Sequence, residues 1–174
     1  MKEWNGKRYH TLNHFLREKF GEKVFKISLD GGFTCPNRDG KAGRGGCVFC
    51  SARGSGDFAG DRDFSISKQF DDVKLMMEHK WKSGKYIAYF QAYTNTYAPV
   101  DELRKKYNEA IVKEGVVALA IATRPDCLDD DVLDLLEEIS KKLYVWVELG
   151  LQTSNDETAK IINRGYMLST FDVA

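Results

Sequence analysis

Several features that would point to a partner or a location are missing from this sequence of 174 residues. Its 26 lysine and arginine residues are balanced by 26 aspartate and glutamate residues, so the net charge requires neither a nucleic acid nor an anionic membrane. The first residues, MKEWNGKRYH, contain no apolar core and do not form a signal peptide. The longest strongly apolar run, residues 116–122, is far too short to cross a bilayer. We therefore expect a cytoplasmic protein without a membrane partner.

Two catalytic patterns are also missing. The 3 histidines are scattered, so no Ser/His/Asp or Cys/His arrangement can be argued from them. The glycines at 54, 56 and 60 do not match the G-x-G-x-x-G pattern of dinucleotide-binding proteins, and their segment does not lie directly between a strand and a helix. A dinucleotide-binding oxidoreductase stays a hypothesis that bound nicotinamide would support.

The sequence does contain an alternation of strand and helix patterns, in a chain that is 43% hydrophobic and can therefore form a core. The predicted strands are residues 24–29, 86–90, 116–122 and 144–149. The predicted helices are residues 66–81, 100–111, 132–139 and a last helix opened by the capping box Ser154-x-x-Glu157. From the second strand onward, the strands begin roughly 30 residues apart, which is the length of a βα unit. We predict a parallel sheet with helices outside, curled into part of a barrel, with an open Rossmann-like sheet as the alternative.

The chain divides into two segments of different character. Residues 1–23 are predicted to be a basic arm or helix, and the excess of lysine and arginine across residues 1–28 indicates a solvated face. Residues 24–174 contain the strand and helix patterns. The chain stops soon after the last predicted helix and leaves the strand at 144–149 as an open edge, which proteins usually avoid. We therefore expect this chain to be the N-terminal part of a longer barrel. We also expect the chain to self-associate through this strand or to be paired there by another partner.

Three of the four cysteines lie in one glycine-rich loop that follows the first predicted strand. Cys35, Cys47 and Cys50 are spaced as C-x11-C-x2-C, and the glycines between them let the backbone wrap closely. A reducing compartment makes structural disulfides improbable. Three thiolates from one loop suit an iron–sulfur cluster and leave one iron open to a small molecule.

Zinc is the alternative metal for the same cysteines. A zinc ion usually takes a fourth ligand, which Cys127, His10 or His14 could provide in a structural or interaction domain. We expect Cys127 to be a buried free thiol instead, since free cysteine is among the most buried residue types.

The cysteine loop resembles that of the radical S-adenosylmethionine (SAM) superfamily. The usual form there is C-x3-C-x2-C with an aromatic residue before the last cysteine, and Phe49 occupies that position. The wider first gap is similar to that of the elongator catalytic subunit. The stretch from Gly31 to Gly60 resembles the YhcC/YtqA-like subfamily, whose members are longer, and the resemblance runs the whole length of the chain.

This resemblance implies a fold and a chemistry. The fold is a partial TIM barrel of about four βα units out of the six typical of the superfamily. Cys35, Cys47 and Cys50 would hold a [4Fe–4S] cluster, whose open iron would chelate SAM. One electron, supplied by a donor such as flavodoxin or ferredoxin, would cleave SAM to a 5′-deoxyadenosyl radical. The implied substrate is a wobble uridine in tRNA, although a chain of this length is expected to bind a cluster without turning over substrate.

The resemblance also implies which residues contact SAM, and most of them follow the ends of predicted strands. Residues 90–96 align with a glycine-rich segment that meets the SAM amino group, and two further segments are similar to T-R-P-D and V-E-x-G-x-Q in the elongator subunit. Gln152 and Arg164 are twelve residues apart, as are a SAM-contacting Gln and Arg in oxygen-independent coproporphyrinogen oxidase. The expected contacts are Phe49, Gln91, Thr94, Thr96, Arg124, Glu148, Gln152 and Arg164.

Two of these residues have alternative interpretations. Arg124 could simply pair with Asp126 or cap a helix, whereas as a SAM ligand its planar fork would suit a carboxylate. Glu148 belongs to a buried strand, so its charge needs a partner, which favours a functional or salt-bridged role. Tyr89 and Trp146 are expected to be core residues.

Overall fold

A computed structural model describes residues 4, 6–79 and 84–174. Its centre is a parallel sheet of four strands in sequence order: β1 (Val24–Leu29), β2 (Lys85–Phe90), β3 (Val116–Thr123) and β4 (Tyr144–Leu149). All neighbours are parallel, and each connection carries helix, as right-handed βα units require. The predicted α/β partial barrel is thereby confirmed.

Seven helices surround or extend this sheet in the part of the chain that the structure describes. They are α1 (Leu12–Phe20), α2 (Pro36–Asp39), α3 (Ile66–Glu78), α4 (Val100–Ile111), α5 (Asp130–Ser140), α6 (Asp156–Ile161) and α7 (Leu168–Val173), with a 3-10 turn at Pro125–Cys127. The hydroxyl of Ser65 caps α3 by accepting from the amide of Lys68 at 3.2 Å. The predicted last turn of this helix includes Trp81, which lies outside the described residues.

Two local predictions need correction. Helix α6 begins one residue later than the capping box predicted, because Asn155, not Ser154, caps it by accepting from the amide of Thr158 at 2.9 Å. The sequence pattern also places residues 163–165 on this helix, but the helix ends at Ile161 and these residues follow it. The short helix α2 inside the cysteine loop was not predicted, since four residues are too few for a helical period to appear.

The two faces of the sheet have different partners. Helices α3, α4 and α5 pack against the outer face of the sheet and form the larger of the two core clusters with it. Helix α1 covers the inner face near the start of the strands, where Leu16 packs with Val24, Ile87, Ala118 and Ala120. Side chains alternate between the faces along each strand. One end of the half-barrel is therefore closed by α1, and the other end carries the loops that follow the strands.

Strand β4 forms one edge of the sheet. Within the described part of the chain it pairs with β3 alone, and all six of its residues are half-buried. Self-association through this edge stays a prediction. None of the described helices has both the length and the apolar character that a membrane span needs.

Candidate functional site

A cavity of about 380 Å³ opens where the strands end and the cysteine loop begins. This is the end of a parallel barrel at which ligands bind. Ten of the eleven predicted site residues line it. They are Cys35, Cys47, Phe49, Cys50, Gln91, Thr94, Arg124, Glu148, Gln152 and Arg164. The structure therefore brings together residues that are up to 129 positions apart in the sequence, from Cys35 to Arg164.

Thr96 is the predicted site residue that the structure does not bring to this cavity. Its hydroxyl is buried, 2.5 Å from the Thr123 hydroxyl and 2.5 Å from the carbonyl of Cys127. It therefore ties the loop after β2 to the loop after β3. Cys127 itself is a buried free thiol, as predicted. Burial raises the pKa of its thiol to about 12.

The first half of the cysteine loop is fixed by a reciprocal pair of asparagines. The Asn37 amide donates to the carbonyl of Asn163 and lies 3.5 Å from the Cys47 sulfur. The Asn163 amide donates in return to the carbonyl of Gly46 at 2.7 Å. Cys35 precedes these residues as the first position before α2. The loop is thus joined to the turn after α6, although the two segments are far apart in sequence.

The second half of the loop rests on the end of β2. The Tyr93 hydroxyl donates to the carbonyl of Ala52 at 2.7 Å, and its amide donates to the carbonyl of Gly54 at 2.8 Å. A Cβ atom at Gly54 would lie 2.4 Å from the Tyr93 ring, so glycine is required there. The guanidinium of Arg38 donates to the carbonyl of Cys50 at 3.3 Å and lies 5.4 Å from the Tyr93 ring centre. The chain's own hydrogen bonds therefore hold the loop in place.

Strained backbone is concentrated around this cavity. Among the described residues, four that are not glycine have positive φ: Ser55, Tyr93, Gln152 and Asn163, at 53–63°. The first three line the cavity, and the fourth belongs to the asparagine pair that fixes the loop. Such conformations cost energy and cluster at functional sites. This is independent support for a functional site at this end of the sheet.

Arg124 adopts the pairing that the sequence left open, while also lining the cavity. Its Nε and Nη2 donate to the two carboxylate oxygens of Asp126 at 2.8 and 2.7 Å, and its Nη1 donates to the carbonyl of Arg164 at 2.8 Å. A guanidinium has five N–H donors, so two have no hydrogen-bond partner among the described residues. The charge also lies near Cys47, where it opposes the desolvation that raises the pKa of that thiol.

Arg164 reaches the cavity lining as predicted, but its donor groups already have partners. The side chain is completely buried, and its five N–H donors are engaged by the chain itself. They reach the carbonyls of Leu151, Thr153 and Tyr166 and the carboxylate of Asp156. A direct contact with the SAM carboxylate would break some of these bonds. These bonds tie the loop after β4 to the turn after α6, and the SAM contact of Arg164 stays a prediction.

Glu148 has the partners that its charge required. Its Oε1 accepts from the Lys26 ammonium at 2.7 Å and from the Trp146 indole at 3.0 Å, and its Oε2 accepts from the Tyr89 hydroxyl at 2.8 Å. Desolvation, the largest single influence, raises the pKa of Glu148, but these three hydrogen bonds together hold it below its ordinary value. The carboxylate is therefore ionised at the cavity wall.

Sequence reasoning missed two members of this group. The charge pattern places Lys26 on a solvated basic face, whereas it is an inward-facing residue of β1 whose side chain is 31% exposed. Tyr89 packs against the inner core cluster, as predicted, but it also lines the cavity. The alternation of residues along β1 and β2 predicts that both side chains lie on the inner face. It does not predict that both contact the carboxylate of Glu148.

The remaining predicted residues line the cavity from several sides. Phe49 is 54% exposed at its mouth. The Gln152 amide lies 3.2 Å from the Tyr166 hydroxyl. Thr94 is buried, and its amide donates to the carbonyl of Thr34 at 3.2 Å.

The histidines considered for zinc lie elsewhere. Among the described residues, one group of at least three His, Cys, Asp or Glu has ligand atoms all within 4.8 Å of one another, and it consists of His10, His14 and Glu18. None of these residues lines the cavity. Neither they nor the buried Cys127 are gathered with the three loop cysteines.

Comparison with known proteins agrees with this fold. The pattern that defines the Radical SAM superfamily matches residues 35–171. Protein YtqA of Bacillus subtilis (strain 168), itself uncharacterised, is 61% identical over 160 residues, covering 92% of this chain and 50% of that protein. Protein YhcC of Escherichia coli (strain K12) is 47% identical over 152 residues, covering 87% of this chain and 48% of YhcC.

A solved structure has a similar fold. The archaeal Methanocaldococcus infernus Elp3 with an N-terminal deletion matches with a TM-score of 0.56 and 16% identity, over 85% of this chain and 33% of that one. The chain spans about half the length of the curated relatives it matches. It belongs to the radical SAM superfamily. Within the superfamily, its relatives include YtqA and YhcC, as the resemblance predicted.

Proposed function

We propose that Cys35, Cys47 and Cys50 hold a [4Fe–4S] cluster and that SAM binds beside it in the cavity. The observation that carries this proposal is the arrangement of three free thiols on one loop at the mouth of a cavity, at the ligand-binding end of a parallel half-barrel. Three thiols fit the donor set of such a cluster. The chemistry that a bound cluster supplies in this superfamily is the one-electron reductive cleavage of SAM to a 5′-deoxyadenosyl radical.

The residues of the chain would bind and orient SAM. Phe49 offers an exposed ring, and Gln91, Thr94 and Gln152 contribute polar groups to the cavity lining. Arg124 has two N–H donors without a partner among the described residues, which would suit the SAM carboxylate. Glu148 would accept a hydrogen bond from a donor group of SAM. Around them, the rings of Tyr93 and Tyr166 would help to exclude water from the reacting atoms.

Reconstitution tests this function against its alternative. The protein would be treated anaerobically with iron and sulfide, reduced with dithionite and given SAM. Four irons per chain, a brown colour and release of 5′-deoxyadenosine are expected. A colourless protein that retains one zinc per chain and releases no 5′-deoxyadenosine would instead support the zinc-binding structural domain.

For the whole protein, we propose a wobble uridine of tRNA as substrate and an electron donor of the flavodoxin or ferredoxin type. The support is the resemblance of the cysteine loop and the polar strand ends to the elongator subunit.

We also propose that this chain alone does not couple SAM cleavage to substrate, because a half-barrel leaves the reacting atoms open to water. Mass spectrometry of tRNA incubated with this chain and with a longer protein containing it would test both: modified uridine should appear only with the longer protein.

Replacing Arg124 with alanine should weaken SAM binding. We expect the free N–H donors of Arg124 to bind the SAM carboxylate. Losing this charge-assisted contact would reduce the free energy of SAM binding by about 1.5–3 kcal/mol, which is roughly a ten- to hundredfold loss of affinity. Equilibrium binding of SAM to the reconstituted protein measures the effect. The matched control is Asp126→Asn, which removes the charge of the ion pair but keeps Arg124. Equal losses in both variants would mean that Arg124 acts only through the fold.

A further inference from the structure

Lys26 and Glu148 meet across the inner face of the sheet. The ammonium of Lys26 lies 2.7 Å from Oε1 of Glu148 and 3.9 Å from the centre of the Tyr89 ring. It also lies 5.6 Å from the centre of the Trp146 ring. Two aromatic faces and one carboxylate therefore surround a single cation, which restricts where that cation can lie.

The strand register explains how these side chains reach one another. Lys26 is in register with Ile87, and Tyr89 with Ala120, while Glu148 is in register with Ala122. Lys26 is therefore level with Ala118, whereas Glu148 is level with Ala122, two inward-facing positions further along β3. The Lys26 side chain must extend along the inner face toward the carboxyl ends of the strands. From position 118 to the end of the intervening strand β3, its inward residues are alanines, at positions 118, 120 and 122. These small side chains leave the space in which the longer ones from β1, β2 and β4 meet.

The hydrogen bonds of Glu148 leave one acceptor position of its carboxylate unoccupied. A carboxylate has about four acceptor positions on its two oxygens. Lys26 and Trp146 occupy Oε1, and Tyr89 occupies one position on Oε2. The carboxylate is held at both oxygens, lines the cavity and can still accept one more hydrogen bond on Oε2.

We propose that Lys26 is a positioning residue, which fixes the Glu148 carboxylate at the cavity wall so that Glu148 can accept a hydrogen bond from the bound ligand. This inference rests on the proposed function, since SAM is the ligand concerned. Lys26 does not line the cavity and acts through Glu148. The groups that face the carboxylate are Lys26 from β1, Tyr89 from β2 and Trp146 from β4, with Arg124 in the same cavity after β3.

A double-mutant cycle tests this coupling. SAM affinity would be measured for the reconstituted wild type, Lys26→Met, Glu148→Gln and the double variant. Methionine keeps an apolar stem of similar length without the charge. Each single change is expected to weaken SAM binding about tenfold, and the double variant should be no weaker than Glu148→Gln alone. Lys26→Arg should retain most of the affinity, and Lys142→Met, which removes an exposed lysine paired with Glu138, should change nothing.

Two outcomes would overturn the proposal. One is full affinity in Lys26→Met. The other is a tenfold loss from Lys26→Met that persists in the Glu148→Gln background, because Lys26 would then act independently of the carboxylate.

A measurement without cofactor separates this inference from the proposed function. The Glu148 carboxyl can be titrated by carbon-13 NMR in the protein before reconstitution. Lys26→Met should raise its pKa, since the cation no longer offsets desolvation. The carboxylate would then become protonated at a higher pH than in the wild type. An unchanged pKa would contradict the inference, whereas a wild type that fails to bind SAM would contradict only the proposed function.

Discussion

Replacing Cys47 with alanine is expected to leave a protein that holds no [4Fe–4S] cluster after anaerobic reconstitution. Each loop cysteine would supply one thiolate to one iron, and no other cysteine lines the cavity to replace it. The same loss is expected for Cys35→Ala and Cys50→Ala. Iron and sulfide content and the visible absorption of the reconstituted protein measure the effect.

Cys127→Ala is the matched control for these variants. Its thiol is free but buried away from the cavity, so four irons per chain should remain. Circular dichroism would establish that each variant still folds. Loss of the cluster in Cys127→Ala as complete as in Cys47→Ala, with the fold intact, would contradict the assignment of the three loop cysteines.

The parallel sheet could be predicted because its signals are local and repeated. Strand β3 is a continuous apolar run, as expected of a strand buried on both faces, and α5 repeats apolar residues on one helical side. The predicted bounds of β1 and β4 agree with the structure residue for residue. Such patterns depend only on neighbouring residues, which a single sequence contains in full.

The cap of α6 shows where local signals become ambiguous. Ser154 and Asn155 are adjacent, and both are residue types that cap helices well. The S-x-x-E pattern favours the serine, but the side-chain oxygen Oδ1 of Asn155 accepts the capping bond from the Thr158 amide. Choosing between neighbouring candidates depends on how the preceding loop leaves β4, which the pattern does not contain.

The supports of the candidate site could not be predicted in the same way. The cysteines and the polar strand ends could be found because parallel strands all present their ends at one edge. The pairing of Asn37 with Asn163 joins segments 126 positions apart, and only the folded backbone brings them together. Lys26 likewise reaches Glu148 because β3 has alanines between them. Contacts of this kind leave no periodic trace in one sequence.

Arg164 is the residue whose replacement should destabilise the protein most. Methionine at this position would keep much of the side-chain volume but remove five N–H donors. The carbonyls of Thr153 and Tyr166 would lose the guanidinium donors that they accept from. The Leu151 carbonyl and the Asp156 carboxylate would lose the guanidinium and keep only the backbone amides of Thr153 and Leu168. Removing one partner from such a buried charged network costs about 3–5 kcal/mol. This is a large part of the roughly 5–15 kcal/mol that stabilises a domain.

Urea denaturation of the unreconstituted protein measures this loss as a change in the free energy of unfolding. The matched control is Lys160→Met, in the neighbouring helix α6. Its ammonium pairs with Glu157 at the surface, so its removal should change the unfolding free energy by less than about 1 kcal/mol.

The same pair of variants also decides between the two interpretations of Arg164. If Arg164→Met unfolds like the wild type but loses SAM affinity after reconstitution, the arginine contacts SAM as the sequence resemblance implied. If it is destabilised by several kcal/mol, its buried guanidinium holds together the loops that form the cavity.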